Sequence, residues 1–176
     1  MSAEILEDLN KTHLSDKGGK HPYLKNYYSK VFGPIRNQSL HIMEVGIYHG
    51  ASLKLWKDYF PKSILYGVDI KNRKTFFENL DRLNLFVGRS DSASTYKNVT
   101  GQFDIIIDDG NHRAKTQIPT FEILWPKLKN KGLYIIEDIV DLKELEHYFK
   151  AKNLSYKVFD YSKTHQSDSI IIELKK

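Results

Sequence analysis

Cysteine is absent from the 176-residue sequence, so the chain can form no disulfide, no thiolate nucleophile and no cysteine-ligated zinc site. It also lacks any run of 18 consecutive apolar residues, and its polar, acidic start has no apolar signal-peptide core. No internal repeat, low-complexity segment or interdomain linker is recognisable. These absences and the length predict a single soluble, cytoplasmic domain over residues 1–176 without a membrane span.

The sequence has an excess of positive charge, with a formal net charge of +5. The lysines are spread over many segments and form no block, which makes nucleic acid an improbable partner. The charge indicates either a lysine-rich solvated surface or an anionic substrate or partner.

Strand-like and helix-like segments alternate from residue 40 onward. Apolar runs predict five parallel strands joined by helical crossovers, and the short connection KTHQ then predicts a final hairpin. We therefore expect an α/β fold: a Rossmann-like, doubly wound, seven-stranded sheet, mostly parallel with an antiparallel last strand and helices on both faces. Residues 1–39 are expected to form an N-terminal helical or lid segment. The predicted strands cover 40–46, 64–70, 83–88, 103–109, 132–138, 154–162 and 167–176, and the predicted helices cover 1–10, 23–32, 51–60, 76–82, 92–99, 116–128 and 141–153.

The fourth predicted strand runs directly into acids and a histidine in the segment FDIIIDDGNH, which contains Asp108, Asp109 and His112. The fifth strand ends in Glu137 and Asp138. If the two strands are neighbours, their carboxylates converge at one edge of the sheet and suit Mg²⁺ or Mn²⁺. Helix capping and a solvated loop remain alternatives for such acids.

A second candidate site follows the first strand, in the segment EVGIYHGAS. Gly46 and Gly50 allow a ligand to approach the backbone, and Ser52 opens the next helix. The spacing G-x-x-x-G differs from the dinucleotide pattern G-x-G-x-x-G, while Asp69 at the end of strand two suits a ribose diol. A tight turn and a helix cap are the alternative roles for these residues.

Together these features resemble a class I S-adenosylmethionine (SAM)-dependent methyltransferase. The resemblance implies that the glycine loop holds the methionine and ribose parts of SAM, that Asp69 binds the ribose hydroxyls, and that the segment around Arg89 lies beside adenine. The cofactor-binding residues implied are Glu44, Gly46, Gly50, Ser52, Asp69, Ser90, Asp91 and Asp108, the last of which holds either the loop or the cofactor.

A narrower resemblance covers residues 16–138, through the segments DKGGKHPYLKNYY, EVGIYHGASLKLWKDYF, GVDI, DDGNH and FEILWPKLKNKGLYIIED. These are similar to the Mg²⁺-dependent sugar O-methyltransferases of macrolide and cell-surface glycan biosynthesis, some of them described as cephalosporin hydroxylase-like. The resemblance implies Asp109, Glu137 and Asp138 as metal ligands and His112 as general base. It also implies that His21 and Tyr23 close the site, with simple packing as the alternative.

Two positions depart from this family pattern: Asn111 stands in place of a usual serine, and Arg89 stands near a usual acid. The expected function is SAM- and Mg²⁺-dependent O-methylation of a hydroxyl on a sugar or glycoside, either a natural product or a cell-surface glycan. A catechol or small-phenol O-methyltransferase and a non-catalytic SAM-binding subunit are the alternatives. The expected partner is a small-molecule or glycan acceptor, and a homo-oligomer is compatible with the sequence.

Overall fold

A computed structural model describes residues 2–176 of the chain. Its N-terminal segment is helical where the sequence predicts helices, and Met1 of the predicted helix 1–10 lies outside the described residues. The first helix is α1 (Ser2–His13), and Asp16–Gly18 then form a single 3-10 turn. A π-helical turn (Leu24–Tyr28) runs into α2 (Ser29–Phe32) and a 3-10 turn (Gly33–Ile35).

Seven strands form one mixed sheet, which confirms the predicted fold class. Its order is β3-β2-β1-β4-β5-β7-β6, with β7 antiparallel to both of its neighbours and all other pairs parallel. The strands are β1 (His41–Val45), β2 (Ile64–Asp69), β3 (Leu83–Val87), β4 (Phe103–Asp108), β5 (Leu128–Ile136), β6 (Tyr156–Asp160) and β7 (Ile170–Lys175).

Three longer helices connect the strands: α3 (Ala51–Tyr59), α4 (Ala114–Leu124) and α5 (Leu142–Ala151). The helix predicted at 76–82 is wrong, because only Lys74–Phe76 form a 3-10 turn. There the Asn79 side chain accepts a hydrogen bond from the Asp81 N–H at 3.3 Å, a local turn contact that competes with helix formation. The segment predicted at 92–99 contains a short 3-10 helix, Ala93–Tyr96.

Alternating side chains of the strands point to opposite faces of the sheet and pack into two separate hydrophobic cores, one on each face. Ile42 and Ile107 pack with α3 and the N-terminal segment, whereas Met43 and Ile106 pack with α4 and α5. On the first face, Tyr28 stacks edge-on against Trp56 with ring centroids 4.8 Å apart. The N-terminal segment is thereby fixed against the sheet. Within residues 2–176, no helix combines the length and apolar content needed to cross a membrane.

Candidate active site

A cleft of about 640 Å³ opens at the carboxyl ends of the central strands. It lies where the strand order reverses between β1 and β4, the position at which open α/β sheets bind their ligands. The loops after β1, β2, β3 and β4 line it, and residues of the N-terminal segment form one rim. The rim residues are Ser15, Asp16 and Lys20.

The glycine loop after β1 passes unusually close to the loop after β4. Gly46 has φ +90°, and a Cβ atom there would collide with the backbone carbonyl of Asp109. Gly50 has φ +78° and packs against the Phe77 ring. Both positions therefore require glycine, and the first brings the cofactor-side loop into contact with the acidic loop.

Asp69 shapes this loop from the end of β2. Its Oδ2 atom accepts the backbone N–H groups of Ile47 at 3.1 Å and Tyr48 at 2.9 Å. Burial would raise the pKa of Asp69, but these N–H groups, the Lys71 N–H and the Arg73 side chain lower it below its ordinary value. Asp69 is thus an anion that holds the glycine loop beside the cleft.

The residues implied for cofactor binding divide into two sets. The cleft wall includes Gly46, Ser52, Asp69, Ser90 and Asp91. Among the residues that the structure describes, Glu44, Gly50 and Asp108 lie behind that wall. Arg89 also lines the cleft and makes a two-point contact with the Asp91 carboxylate, at 2.9 and 2.6 Å.

Asp109, His112 and Asp138 meet at the cleft floor. The Nε2 atom of His112 lies 3.3 Å from Oδ1 of Asp109 and 4.0 Å from Oδ2 of Asp138. His112 and Asp138 both have left-handed backbone conformations, with φ +62° and +51°. Burial would lower the pKa of His112, but the two carboxylates outweigh it and the pKa is raised.

The ammonium of Lys17 lies directly behind this group. Its Nζ atom donates to Oδ2 of Asp109 at 2.5 Å and to Oε2 of Glu137, and it lies 3.7 Å from Oε1 of Glu44. The Lys17 side chain is only 2% exposed. Burial alone would lower the Lys17 pKa, but the three carboxylates hold it well above its usual range. Lys17 is therefore a buried cation.

Tyrosine hydroxyls fix the two acids that directly follow β5, Glu137 and Asp138. Tyr28 donates to Oε1 of Glu137, and Tyr23 donates to Oδ1 of Asp138 at 2.7 Å. His21 Nε2 lies 3.4 Å from Oδ2 of Asp138. His21 and Tyr23 are buried. They pack beneath the site and do not close it, whereas Ser15, Asp16 and Lys20, which lie near them in the sequence, reach the cleft.

Two further acids are buried near the cleft. Burial raises the pKa of Glu44 to about 7 and that of Asp108 to about 7. Neither oxygen of Glu44 makes a hydrogen bond of normal geometry, although Ser52 and Trp56 face it. The Gly110 N–H lowers the Asp108 pKa in part, so Asp108 contacts the loop that carries Asp109.

The donor set fits a hard divalent cation. Asp109, His112 and Asp138 offer ligand atoms within 4.8 Å of one another at the cleft floor. Asp109 and Glu137 already share one cation, the Lys17 ammonium, so these two carboxylates converge as a metal-binding pair must. The assignment of Asp109, Glu137 and Asp138 as ligands stays a prediction, with Glu137 engaged by Lys17 and Tyr28 in this structure.

Lys17 and Tyr28 are site residues that sequence reasoning missed. A lysine between an aspartate and a glycine in a polar loop is expected to be solvated. The available signal was the N-terminal element DKG-x-x-H-x-Y, in which Lys17, His21 and Tyr23 all prove to contact the acids of β4 and β5.

Comparisons with known proteins agree with the fold. Residues 43–139 match a family model described as a methyltransferase domain. A rhamnosyl-tetracenomycin C 3'-O-methyltransferase of Streptomyces olivaceus is 37% identical over 72% of this chain and 35% of its own length. The L-olivosyl-oleandolide 3-O-methyltransferase of Streptomyces antibioticus is 34% identical over 76% of this chain and 36% of its own length.

A solved structure extends the likeness to nearly the whole chain. The MycE methyltransferase of mycinamycin biosynthesis, in complex with Mg, SAH and mycinamycin VI, superimposes with a TM-score of 0.78 and 25% identity. The match covers 97% of this chain and 54% of MycE. The chain thus spans about a third to a half of the length of these relatives. The family match spans more than half of the described fold, including the glycine loop and the acidic strand ends, and the chain belongs to the methyltransferase domain family.

Proposed function

We propose that the chain is a SAM- and Mg²⁺-dependent O-methyltransferase that acts on a hydroxyl of a sugar or glycoside. The observation that carries the proposal is the placement of His112 Nε2 between Asp109 and Asp138, 3.3 and 4.0 Å from their carboxylates. This group faces the same cleft as the glycine loop. The proposed base, the proposed cation site and the proposed cofactor cleft therefore share one opening.

In the proposed reaction, the methyl group passes from the SAM sulfur to an acceptor oxygen. Bound SAM would supply the methyl group, its C–S bond breaking as the acceptor O–C bond forms and S-adenosylhomocysteine leaving, while Nε2 of His112 would take the hydroxyl proton. His112 serves as base only in its neutral form, and such groups contribute about 10²- to 10⁴-fold to a rate. A bound Mg²⁺, or Mn²⁺, would supply positive charge that lowers the acceptor hydroxyl pKa.

The chain's own residues provide the remaining requirements. Asp69 and Gly46 shape the loop against which the cofactor would lie, and Ser90 and Asp91 line its far end. Asp109, Glu137 and Asp138 are the proposed metal ligands, with Tyr23 and Tyr28 fixing the last two. Orientation of this kind supplies about 7 to 11 kcal/mol in favourable systems.

Sugar acceptors are favoured by the relatives. The relatives from both Streptomyces species carry names of O-methyltransferases that act on glycosylated natural products, and the MycE complex contains mycinamycin VI. A catechol acceptor would use the same kind of metal site, so a side-by-side assay on glycosides and catechols separates the two. Methylation of catechols with none of glycosides would contradict the acceptor assignment.

Three substitutions test the residue roles. Asp109→Asn, Glu137→Gln and His112→Ala should each abolish turnover while calorimetric SAM binding persists. Asp81→Asn is the matched control, because Asp81 is 76% exposed and lies in the loop before β3. Retained turnover in all three variants would overturn the metal and base assignments.

A further inference from the structure

Lys17 fills the place that the proposed metal needs. Its Nζ atom binds Oδ2 of Asp109 and Oε2 of Glu137, two of the proposed ligands. The other oxygen of Glu137 accepts the Tyr28 hydroxyl. A metal ion at Oε2 of Glu137 would compete with the Lys17 ammonium for that oxygen, whereas the neutral Tyr28 hydroxyl can stay on Oε1.

Lys17 has another carboxylate within reach, and Tyr28 is locked in place. Tyr28 is fully buried among aromatic rings, 4.6 Å from the Phe32 ring and 4.8 Å from the Trp56 ring. Glu44 is fully buried, makes no hydrogen bond of normal geometry, and has Oε1 only 3.7 Å from Lys17 Nζ. A shift of about 1 Å brings that distance into the hydrogen-bonding range.

The backbone that carries Lys17 is anchored, so the shift is confined to the side chain. The Gly19 N–H donates to the Asp16 carbonyl at 3.1 Å, and the His21 N–H donates to the same carbonyl at 2.8 Å. A Cβ atom at Gly18 would collide with Asn10, so the turn is tightly packed against α1. The ammonium can move between carboxylates while the turn stays in place.

We propose that Lys17 is a positioning residue with two sites: it bridges Asp109 and Glu137 in the metal-free protein and pairs with Glu44 when the divalent cation binds. The inference rests on the proposed metal-dependent function. Lys17 neutralises the ligand carboxylates in the metal-free protein and competes with the metal for them, and Glu44 receives the displaced ammonium. Glu44 therefore influences metal binding without touching the metal.

A double-mutant cycle on metal affinity tests this role. Mn²⁺ binding is measured by calorimetry for the wild type, Glu44→Gln, Lys17→Met and the double variant, with circular dichroism as a check of folding. Glu44→Gln should weaken binding about tenfold when Lys17 is present and less than about threefold in the Lys17→Met background. Lys17→Met alone should tighten binding, because the competing ammonium is gone.

Lys129→Met is the matched control for charge. It removes a lysine paired with Asp104 at 2.8 Å, at the amino-terminal edge of the sheet. This variant should leave Mn²⁺ affinity unchanged. Equal effects of Glu44→Gln in both backgrounds, or weaker binding in Lys17→Met, would overturn the two-site role. Failure of the wild type to bind Mn²⁺ would overturn the proposed metal dependence itself, and this inference with it.

A wild-type crystal soaked in Mn²⁺ tests the same movement without a variant. The expected result is Lys17 Nζ in hydrogen-bond contact with Glu44, with the metal on Asp109 and Glu137. Lys17 still bound to Asp109 and Glu137 beside a bound metal would contradict the proposal.

Discussion

The Nζ atom of Lys17 lies 2.5 Å from Oδ2 of Asp109, although the two residues are 92 positions apart in the chain. The contact joins the turn after α1 to the end of β4. Tyr23 and Tyr28 make comparable contacts with the acids that directly follow β5. The N-terminal segment is therefore part of the acidic site and supports it from below.

Removing this cation should destabilise the metal-free protein. Lys17→Met leaves three carboxylates around a buried space, and breaking a buried ion pair in this way costs about 3–5 kcal/mol of unfolding free energy. Urea denaturation in EDTA measures the loss. Lys129→Met removes a half-exposed pair and should cost less than about 1 kcal/mol. Equal losses for the two variants would contradict the account of Lys17 as a buried counter-ion.

Gly46 should tolerate no side chain. Gly46→Ala combines a left-handed backbone with a collision against the Asp109 carbonyl, so we expect a loss of more than about 2 kcal/mol in urea denaturation. Gly101→Ala is a control with the same φ of +90° and open space around the new methyl group. It should show the backbone cost alone, about 1 kcal/mol. If Gly46→Ala loses no more stability than Gly101→Ala, the close approach of Gly46 to the Asp109 carbonyl does not restrict this position.

Tyr23 should matter to the metal as well as to stability. Tyr23→Phe removes the hydroxyl that orients Asp138, and loss of such an outer partner typically lowers metal affinity about 10- to 100-fold. Tyr27→Phe removes a comparable hydroxyl from Glu173, 2.9 Å away and outside the acidic group. Both should lose about 1–2 kcal/mol of stability. Calorimetric Mn²⁺ titration should distinguish them, and equal affinities would argue against the orienting role.

The His112–Asp109 contact should make the stability of the metal-free protein depend on pH. The pKa of His112 is raised above its ordinary 6.5, so its contribution is full below that value and disappears as pH rises through the folded-state pKa. The imidazole is a third exposed, which limits the contribution to less than about 1 kcal/mol.

Denaturation of wild type and His112→Gln in EDTA, from about pH 5 to pH 9, measures this contribution. The stability difference should shrink with rising pH, and the trend should vanish in an Asp109→Asn background. A stability difference between the wild type and His112→Gln that grows with pH would contradict the proposed His112–Asp109 contribution.

Most of the fold could be predicted from the sequence, because each strand has a distinct apolar run. Crossover lengths predicted the parallel strands and the KTHQ hairpin predicted the antiparallel β7, and the structure confirms both, whereas the order of the strands comes from the structure alone. The helix predicted at 76–82 failed because the side chain of Asn79 bonds locally. β5 also begins earlier than predicted, at Leu128, with left-handed Lys131 inside it.

The candidate site was only partly readable from the sequence. Asp109, His112 and Asp138 follow strand ends, so strand adjacency alone brings them together. Lys17 reaches them through the packing of α1 and α2 on the sheet, a tertiary arrangement that no local spacing encodes. The burial of Glu44 without a hydrogen bond of normal geometry likewise depends on how α3 covers β1.

The central claim is metal-dependent methyl transfer to a sugar hydroxyl. It is tested most directly by following radiolabelled methyl groups from SAM onto glycoside acceptors, with metal removed by EDTA and then restored. We predict label on a glycoside oxygen, loss of labelling in EDTA, and recovery with Mg²⁺ or Mn²⁺. Labelling that persists undiminished in EDTA, or tight salt-sensitive RNA binding with no glycoside labelled, would contradict the account.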